Sequence, residues 1–314
     1  MKLKKILLAF LLTIGLTTTI HAMHDVQILT ADNTKKKITP QTIEAAFEKA
    51  GFFINDNRDM NVPFKNHCKR LQYQTYNLFT VFKKDVVLKL VKKYPNIGLF
   101  SPMSMSIYSE NGSNTISVSS LSAAAMAKIM GIPADDADLV AYGKLVQDTL
   151  RAALPNAKVE KVSYDMKKPE GDLVWGTTLT FDGDWEDTKD DFEMEFEGSL
   201  APYTFVMAGF NDLNYDFEEA EYEAFNFYDV YSVCNISVIY TVAIKHPEAG
   251  AFAPCSLYLY NKKDTNTIEM AFPAVYNWIA SLAIEDKESV KELMTAQTNL
   301  EKILTELTAK YSSK

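Results

Sequence analysis

Three cysteines, four histidines and a dense acidic run carry the residue types that could do chemistry in this 314-residue sequence. Cys234 and Cys255 form the sharpest pair. Cys234 ends an aromatic, apolar stretch that reads as a strand, just before a helix expected over 237–245. A thiol at a helix N-terminus is favoured as thiolate. Cys255 opens the following strand behind Pro254. If the two strands are neighbours, their ends lie about 5 Å apart, within the span a disulfide bridges. In an oxidising compartment such thiols form a disulfide or hold a soft metal or haem. The plain alternative is two buried cysteines acting as small apolar residues.

The remaining candidates are weaker. Met103 and Met105 lie two apart on a strand and point to one face, where thioethers suit Cu(I). Cys255 and Leu257 stand at the matching positions of a second repeat, and the leucine marks that face as core. His21, His24, His67 and His246 show no metal-binding spacing, although His67 adjoins Cys68. The acidic run over 182–197 is rich in hard oxygen ligands but fails the calcium loop, because Asp187 occupies the glycine position. It is expected as a solvated acidic linker. No phosphate-binding glycine loop, nucleophile elbow or His-Glu-x-x-His motif occurs.

An internal repeat must position these residues. Tyr94-Pro95-Asn96-Ile97-Gly98-Leu99-Phe100-Ser101-Pro102-Met103 matches His246-Pro247-Glu248-Ala249-Gly250-Ala251-Phe252-Ala253-Pro254-Cys255 at an offset of 152. The same register pairs Tyr76 with Tyr228 and Tyr108 with Tyr260. Upstream, Phe47-Glu48-Lys49-Ala50-Gly51-Phe52 matches the block from Phe205 to Phe210 at 158, which implies an insertion in the first copy. Local signals predict a helix over 39–51 with Thr39 as N-cap and Pro40 in its first turn. They predict strands over 76–82, 97–108 and 115–121, with a hairpin turn at Asn111-Gly112. Helices follow over 123–130 and 137–154. The second copy repeats this order and ends in an amphipathic helix over 287–310. The expected fold is α+β, two copies of an antiparallel sheet with helices on one face, in a first repeat domain over 23–158 and a second over 159–314.

The pattern resembles the bacterial family called Domain of Unknown Function 302. The resemblance rests on a helix ending in Gly209-Phe210, a strand running into Val233-Cys234-Asn235, a helix, and Gly250-Ala251-Phe252-Ala253-Pro254-Cys255 opening a strand. The second copy keeps both family cysteines but has Ile236 at the helix-initiating proline. The first has Phe82 and Met103 at the cysteine positions. The resemblance implies a fold like one half of the TATA-box-binding protein, and no established activity.

Charge and the N-terminus give an address. Lys2, Lys4 and Lys5 precede an apolar run over 6–16, and small residues lead to Ala22. That three-part pattern predicts a cleaved secretory signal over 1–22 and a periplasmic or secreted protein. Residues 23–158 hold 17 Lys and Arg against 12 Asp and Glu, net +5, whereas residues 159–314 hold 12 against 29, net −17. The overall charge of −9 speaks against nucleic acid as a partner. Opposite fields fit repeats that face each other or molecules that associate head to tail, and equally fit drift after duplication. The reading reached from sequence is an exported, soluble tandem-repeat protein, not embedded in a membrane. It binds an unknown protein or small ligand without catalysis of its own. The alternative is a periplasmic thiol, metal or haem redox protein using Cys234 and Cys255. Mass spectrometry of the exported protein is expected to find Met23 at the N-terminus. A chain retaining Lys2 to Lys5 would refute the cleavage.

Overall fold

A computed structural model describes residues 24–68, 71–162 and 168–312, without the side chains of residues 67 and 68. The expected signal over 1–22 and the His67 and Cys68 side chains lie outside it.

The first half runs β1 (Val26–Asp32), α1 (Pro40–Lys49), β2 (Phe53–Asp59), α2 (Asn61–Cys68), β3 (Tyr73–Phe82) and α3 (Lys84–Val91). A 3₁₀ turn over Pro95–Phe100 leads to β4 (Met103–Glu110), β5 (Thr115–Leu121), α4 (Ala123–Met130), α5 (Ala137–Ala153) and the short β6 (Lys158–Val159). The second half runs β7 (Val174–Thr180), α6 (Trp185–Leu200), β8 (Phe205–Asp212), α7 (Leu213–Glu219), β9 (Phe225–Asn235) and α8 (Ile236–Ala243). Its 3₁₀ turn over Pro247–Phe252 leads to β10 (Cys255–Lys262), β11 (Thr267–Pro273), α9 (Tyr276–Ser281) and α10 (Lys287–Tyr311). The sheets have orders β2-β3-β4-β5-β1-β6 and β8-β9-β10-β11-β7, antiparallel throughout. One topology therefore occurs twice, with β6 added to the first sheet. Among the described residues no helix is long and apolar enough to cross a membrane.

Local chemistry accounts for the elements. Thr39 caps α1 by accepting from the Thr42 amide at 3.2 Å, and Thr42 Oγ1 accepts from the Thr39 amide at 2.9 Å, so two orphan donors are satisfied at once. Ile43 and Phe47 bury the inner face of this helix, and Phe47 meets Phe79 of β3 edge-on at 5.2 Å. Gly51 then turns the chain at φ +80°, a conformation that favours glycine. In β4, methionine and serine alternate. Met103, Met105 and Ile107 pack on the helical side, and Ser104, Ser106 and Tyr108 face the other repeat.

Three expectations change. The stretch expected as a strand from Ile97 begins with the 3₁₀ turn, and β4 starts only at Met103. Ile97, Gly98, Leu99 and Phe100 are all buried, because this turn is covered by its own repeat on one side and by the opposite repeat on the other. The 158-residue match is accidental. Phe47 to Ala50 end a helix, whereas Phe205 to Phe210 lie in β8, whose counterpart β2 begins 152 residues earlier. Gly209-Phe210 thus sits within a strand and not at a helix end, and no insertion is needed. Finally, the acidic run over 182–197 is no linker but most of α6. Asp184 caps it, and Phe192, Phe196 and Leu200 form a buried stripe at i, i+4 and i+8 that outweighs the polar remainder.

The sheets close on each other through their serine and tyrosine faces. Each 3₁₀ turn lies on the opposing sheet. Ser104 Oγ donates to the Pro254 carbonyl at 2.9 Å, and Ser256 Oγ donates to the Pro102 carbonyl at 2.9 Å, a reciprocal pair at the 152-residue offset. Side chains also cross between repeats. Lys84 pairs with Asp216 at 2.6 Å, and the Lys92 ammonium stands 4.9 Å from the Tyr222 ring centre. A Cβ added to Gly250 would stand 2.5 Å from Ser106 Cβ and 3.1 Å from its Cα. Gly250→Ala is expected to cost about 1–3 kcal/mol in denaturant unfolding, as overpacking does. Gly198→Ala, in α6 with open space around it, is expected to stabilise by about 0.5–1 kcal/mol. Equal effects at the two sites would contradict this account of the interface.

Candidate functional site

A polar cavity lies where the second repeat's 3₁₀ turn meets the β4-β5 hairpin, β1 and the chain after β6. Its volume is about 420 Å³. Tyr108 and Ser117 face it from a cross-strand pair, because Tyr108 of β4 sits opposite Ser117 of β5. Glu160 enters just beyond β6, held by a hydrogen bond from Thr30. Glu110 comes from the end of β4, and Glu248 from the turn itself.

Glu248 is the unusual member. Pro247 starts the 3₁₀ turn with its fixed φ and so places Glu248 among the turn's first residues. The turn is anchored by Ser106 Oγ donating to the Pro247 carbonyl and Ser119 Oγ donating to the Glu248 carbonyl, both at 2.9 Å. Glu248 is only 4% exposed. Burial pushes its pKa up to about 7, and Glu160 adds to the shift. His246 lies 3.4 Å away through Nδ1, and burial lowers its own pKa. The phenols of Tyr73, Tyr76 and Tyr108 are all shifted upward, first by burial and then in part by Glu248.

The thiols behave otherwise than expected. Cys234 ends β9 before α8, but Asn235 caps that helix by accepting from the Ser237 and Val238 amides. Burial pushes the Cys234 thiol up to about 12, so desolvation outweighs any preference of the helix N-terminus for thiolate. Cys255 is likewise pushed up to about 12. Both are free thiols. Cys255 pairs in register with Val233, the neighbour of Cys234, and Cys234 adds to the upward shift of the Cys255 thiol. The cavity both residues border, beneath α8 and α10, measures about 50 Å³, which suits a water rather than a haem. Among the described residues no three His, Cys, Asp or Glu side chains gather as metal donors. The two cysteines are thus free thiols that border one small cavity. Met103 and Met105 are core, at 1% and 0% exposed.

Sequence reasoning passed over Glu248. One signal was available: it is the only charged residue in the apolar block Pro247-Glu248-Ala249-Gly250-Ala251-Phe252, where the first copy has Asn96.

A carboxyl whose pKa folding raises favours the fold in its protonated form. That contribution is complete below the ordinary value of 4.5 and is lost as pH rises through about 7. Glu248→Gln removes the titration. The variant is expected to exceed the parent in stability by up to about 3 kcal/mol at pH 8 and to match it near pH 4. Urea unfolding at the two pH values measures the difference, and an advantage confined to acid would contradict the assignment.

Comparison with known proteins adds the family. No curated protein matches the chain. A crystal structure of an uncharacterised conserved DUF302 protein from Bacillus stearothermophilus is similar at 16% identity, covering 42% of this chain and 96% of that one, with a TM-score of 0.35. The model of the domain of unknown function DUF302 matches twice, over residues 29–156 and 186–307. The chain belongs to the DUF302 family, as a tandem pair of its domains.

Proposed function

We propose that this tandem DUF302 protein is an exported binding protein that takes a small polar ligand between its two repeats. The observation that carries the reading is the polar cavity of about 420 Å³ at the repeat junction. Its size falls within the range of about 300–1,000 Å³ common to small-molecule sites, which favour domain interfaces. Its walls come from both repeats, with Tyr108 and Ser117 from the first and Glu248 from the second. A ligand there would bind the closed pair and not the separated repeats. Export rests on the lysine-rich, apolar N-terminal pattern over 1–22.

Thermal unfolding of the mature chain against a library of polar small molecules tests the reading. A ligand present at 100 times its Kd is expected to add about 2.7 kcal/mol. For a chain of this size that corresponds to a rise in Tm of roughly 5–10 °C. The shift should be lost in a variant that fills the cavity, such as Ser117→Gln. A library that leaves Tm unchanged, or shifts that survive Ser117→Gln, would refute the cavity as the binding site.

A further inference from the structure

We infer that the outer edge of β7 is a docking site for an extended peptide segment, which adds to the second sheet as an antiparallel strand and alternates apolar with basic residues. None of the residues lining the inter-repeat cavity comes from β7, so the inference stands apart from the reading of that cavity.

The two sheets end in the edge strands β2, β6, β7 and β8. Natural edges are blunted by bulges, charges, short length or cover. β2 and β8 each carry a register shift, between Ile54 and Asp56 and between Met207 and Gly209. They also meet each other across the repeats. Asn211 Nδ2 donates to Asn55 Oδ1 at 2.8 Å, and Arg58 donates to the Ala208 carbonyl at 3.2 Å. β6 is two residues long. β7 has none of these devices. It reads Val-Trp-Gly-Thr-Thr-Leu-Thr, without a charge, and pairs with β11 in an unbroken register from Val174 to Thr180. Gly176 and Thr178 are exposed, and among the described residues no strand pairs with the outer side of β7.

The first repeat shows what such an edge accepts. Thr115 and Thr267 hold matching places and pair with Asp32 and Thr180, so Ile28 of β1 matches Gly176 of β7, and Thr30 matches Thr178. On β1 the Glu160 amide donates to the Ile28 carbonyl at 2.9 Å, and Lys158 and Val159 pair with Thr30 and Leu29. On β7 the Phe181 amide donates to the Asn266 carbonyl at 3.0 Å, and the Leu173 carbonyl accepts from the Ala274 amide at 2.9 Å. Odd-numbered positions of β7 therefore face β11, and the amides and carbonyls of Gly176 and Thr178 point outward, at the two places matching those that β6 meets in the first repeat. The matching residues of the second repeat, Lys310 and Tyr311, belong to α10, so that repeat brings no β6 of its own to the edge.

The surroundings set the chemistry of the occupant. Trp175 is half-buried on the face that packs with α6 and α10, its ring centre 5.5 Å from that of Phe272, and an added strand would lay apolar side chains beside it. Glu269 pairs in register with Thr178, and Asp172 and Asp182 stand just beyond the ends of β7. From Pro169 to Thr188 the sequence holds six acids and no lysine or arginine. Lysines on the alternate positions of the incoming strand would meet that charge, whereas a second copy of β7 would bring the same acids to it. β6 carries the pattern in miniature, as Lys158-Val159.

Fluorescence anisotropy of a labelled Lys-Val-Lys-Val-Lys-Val peptide with the whole mature chain tests the inference. The comparators are Glu-Val-Glu-Val-Glu-Val and the lysine peptide N-methylated at every amide. The lysine peptide is expected to bind at least about tenfold tighter than either, as the loss of one or two hydrogen bonds or of the charge match implies. Thr178→Pro should weaken it by about the same factor with Tm unchanged, because proline is tolerated in an edge strand where the missing N–H would face solvent. Should that variant fail to fold, the methylated peptide decides, since it leaves the protein as it is. Binding that survives methylation, or that survives Thr178→Pro in the folded variant, would show attraction to the acids alone and overturn strand addition. A lysine peptide that does not bind at millimolar protein would overturn the site. Self-association in sedimentation that Thr178→Pro removes would give the edge to a second copy and overturn the peptide partner.

Discussion

Backbone lying directly on the opposing strand is the constraint from which the rest of this structure follows. At Gly98 a Cβ would stand 2.7 Å from Tyr258 Cβ, and at Gly250 it would stand 2.5 Å from Ser106 Cβ. No side chain fits between turn and sheet at either place. The short approach lets carbonyls at the ends of the turns reach serine hydroxyls on the opposite sheet, and those bonds are buried. A buried donor without its partner costs about 1–3 kcal/mol, so the bonds fix the register of the two repeats more than they add to net stability. The turns share one face of each sheet with the short helices α2 and α7, whose Phe64 and Phe217 meet Tyr76 and Tyr228, and the long helices α6 and α10 cover the other face of the second sheet. α6 and α10 bury Phe192, Phe196, Leu300 and Leu304 there against Leu257 and Leu259.

Asymmetry at this junction separates packing from function. A duplicated fold starts with two equivalent junctions, and each position can then change alone. Tyr258 and Glu269 stand at the first junction where Ser106 and Ser117 stand at the second, and Ser117 lines the polar cavity there. Glu248, a buried carboxyl, lines the cavity beside Ser117. The second repeat has a different buried carboxyl, Asp229, which burial raises to about 7 despite Lys189 at 3.0 Å. Asp229 sits under α6 with a cation already beside it, so it reads as part of the packing.

Much of the fold was legible in the sequence because its signals are local. The Thr39 cap, the Pro40 start, the Asn111-Gly112 turn and the apolar stripe of α10 each act within a few residues. The edge strands were not legible. β2 reads Phe-Ile-Asn-Asp-Asn-Arg-Asp, a polar string of low strand propensity that is held by its ladder with β3. The acidic charge of α6 concealed its phenylalanine stripe, and the 3₁₀ turns look like strands because contact on every side buries consecutive residues. The candidate site was hidden for a further reason. Its walls are drawn from residues more than 130 positions apart, such as Tyr108 and Glu248, and single-sequence spacing carries no signal for such contacts. The cysteine pair attracted notice through its chemistry, and only the register showed that Cys255 faces Val233.

β6 is two residues long, yet it pins the end of the first repeat to β1 through Leu29 and Val159. Only the chain between Val159 and Val174 then remains to reach the second sheet. A tether that short holds the partner repeat at an effective concentration on the order of millimolar. Two free copies would need an interface strong enough to assemble from dilute solution. Joined copies need only one that beats this local concentration, so their shared face can tolerate serines, a buried acid and an open space that a freely dissociating dimer would be under pressure to eliminate.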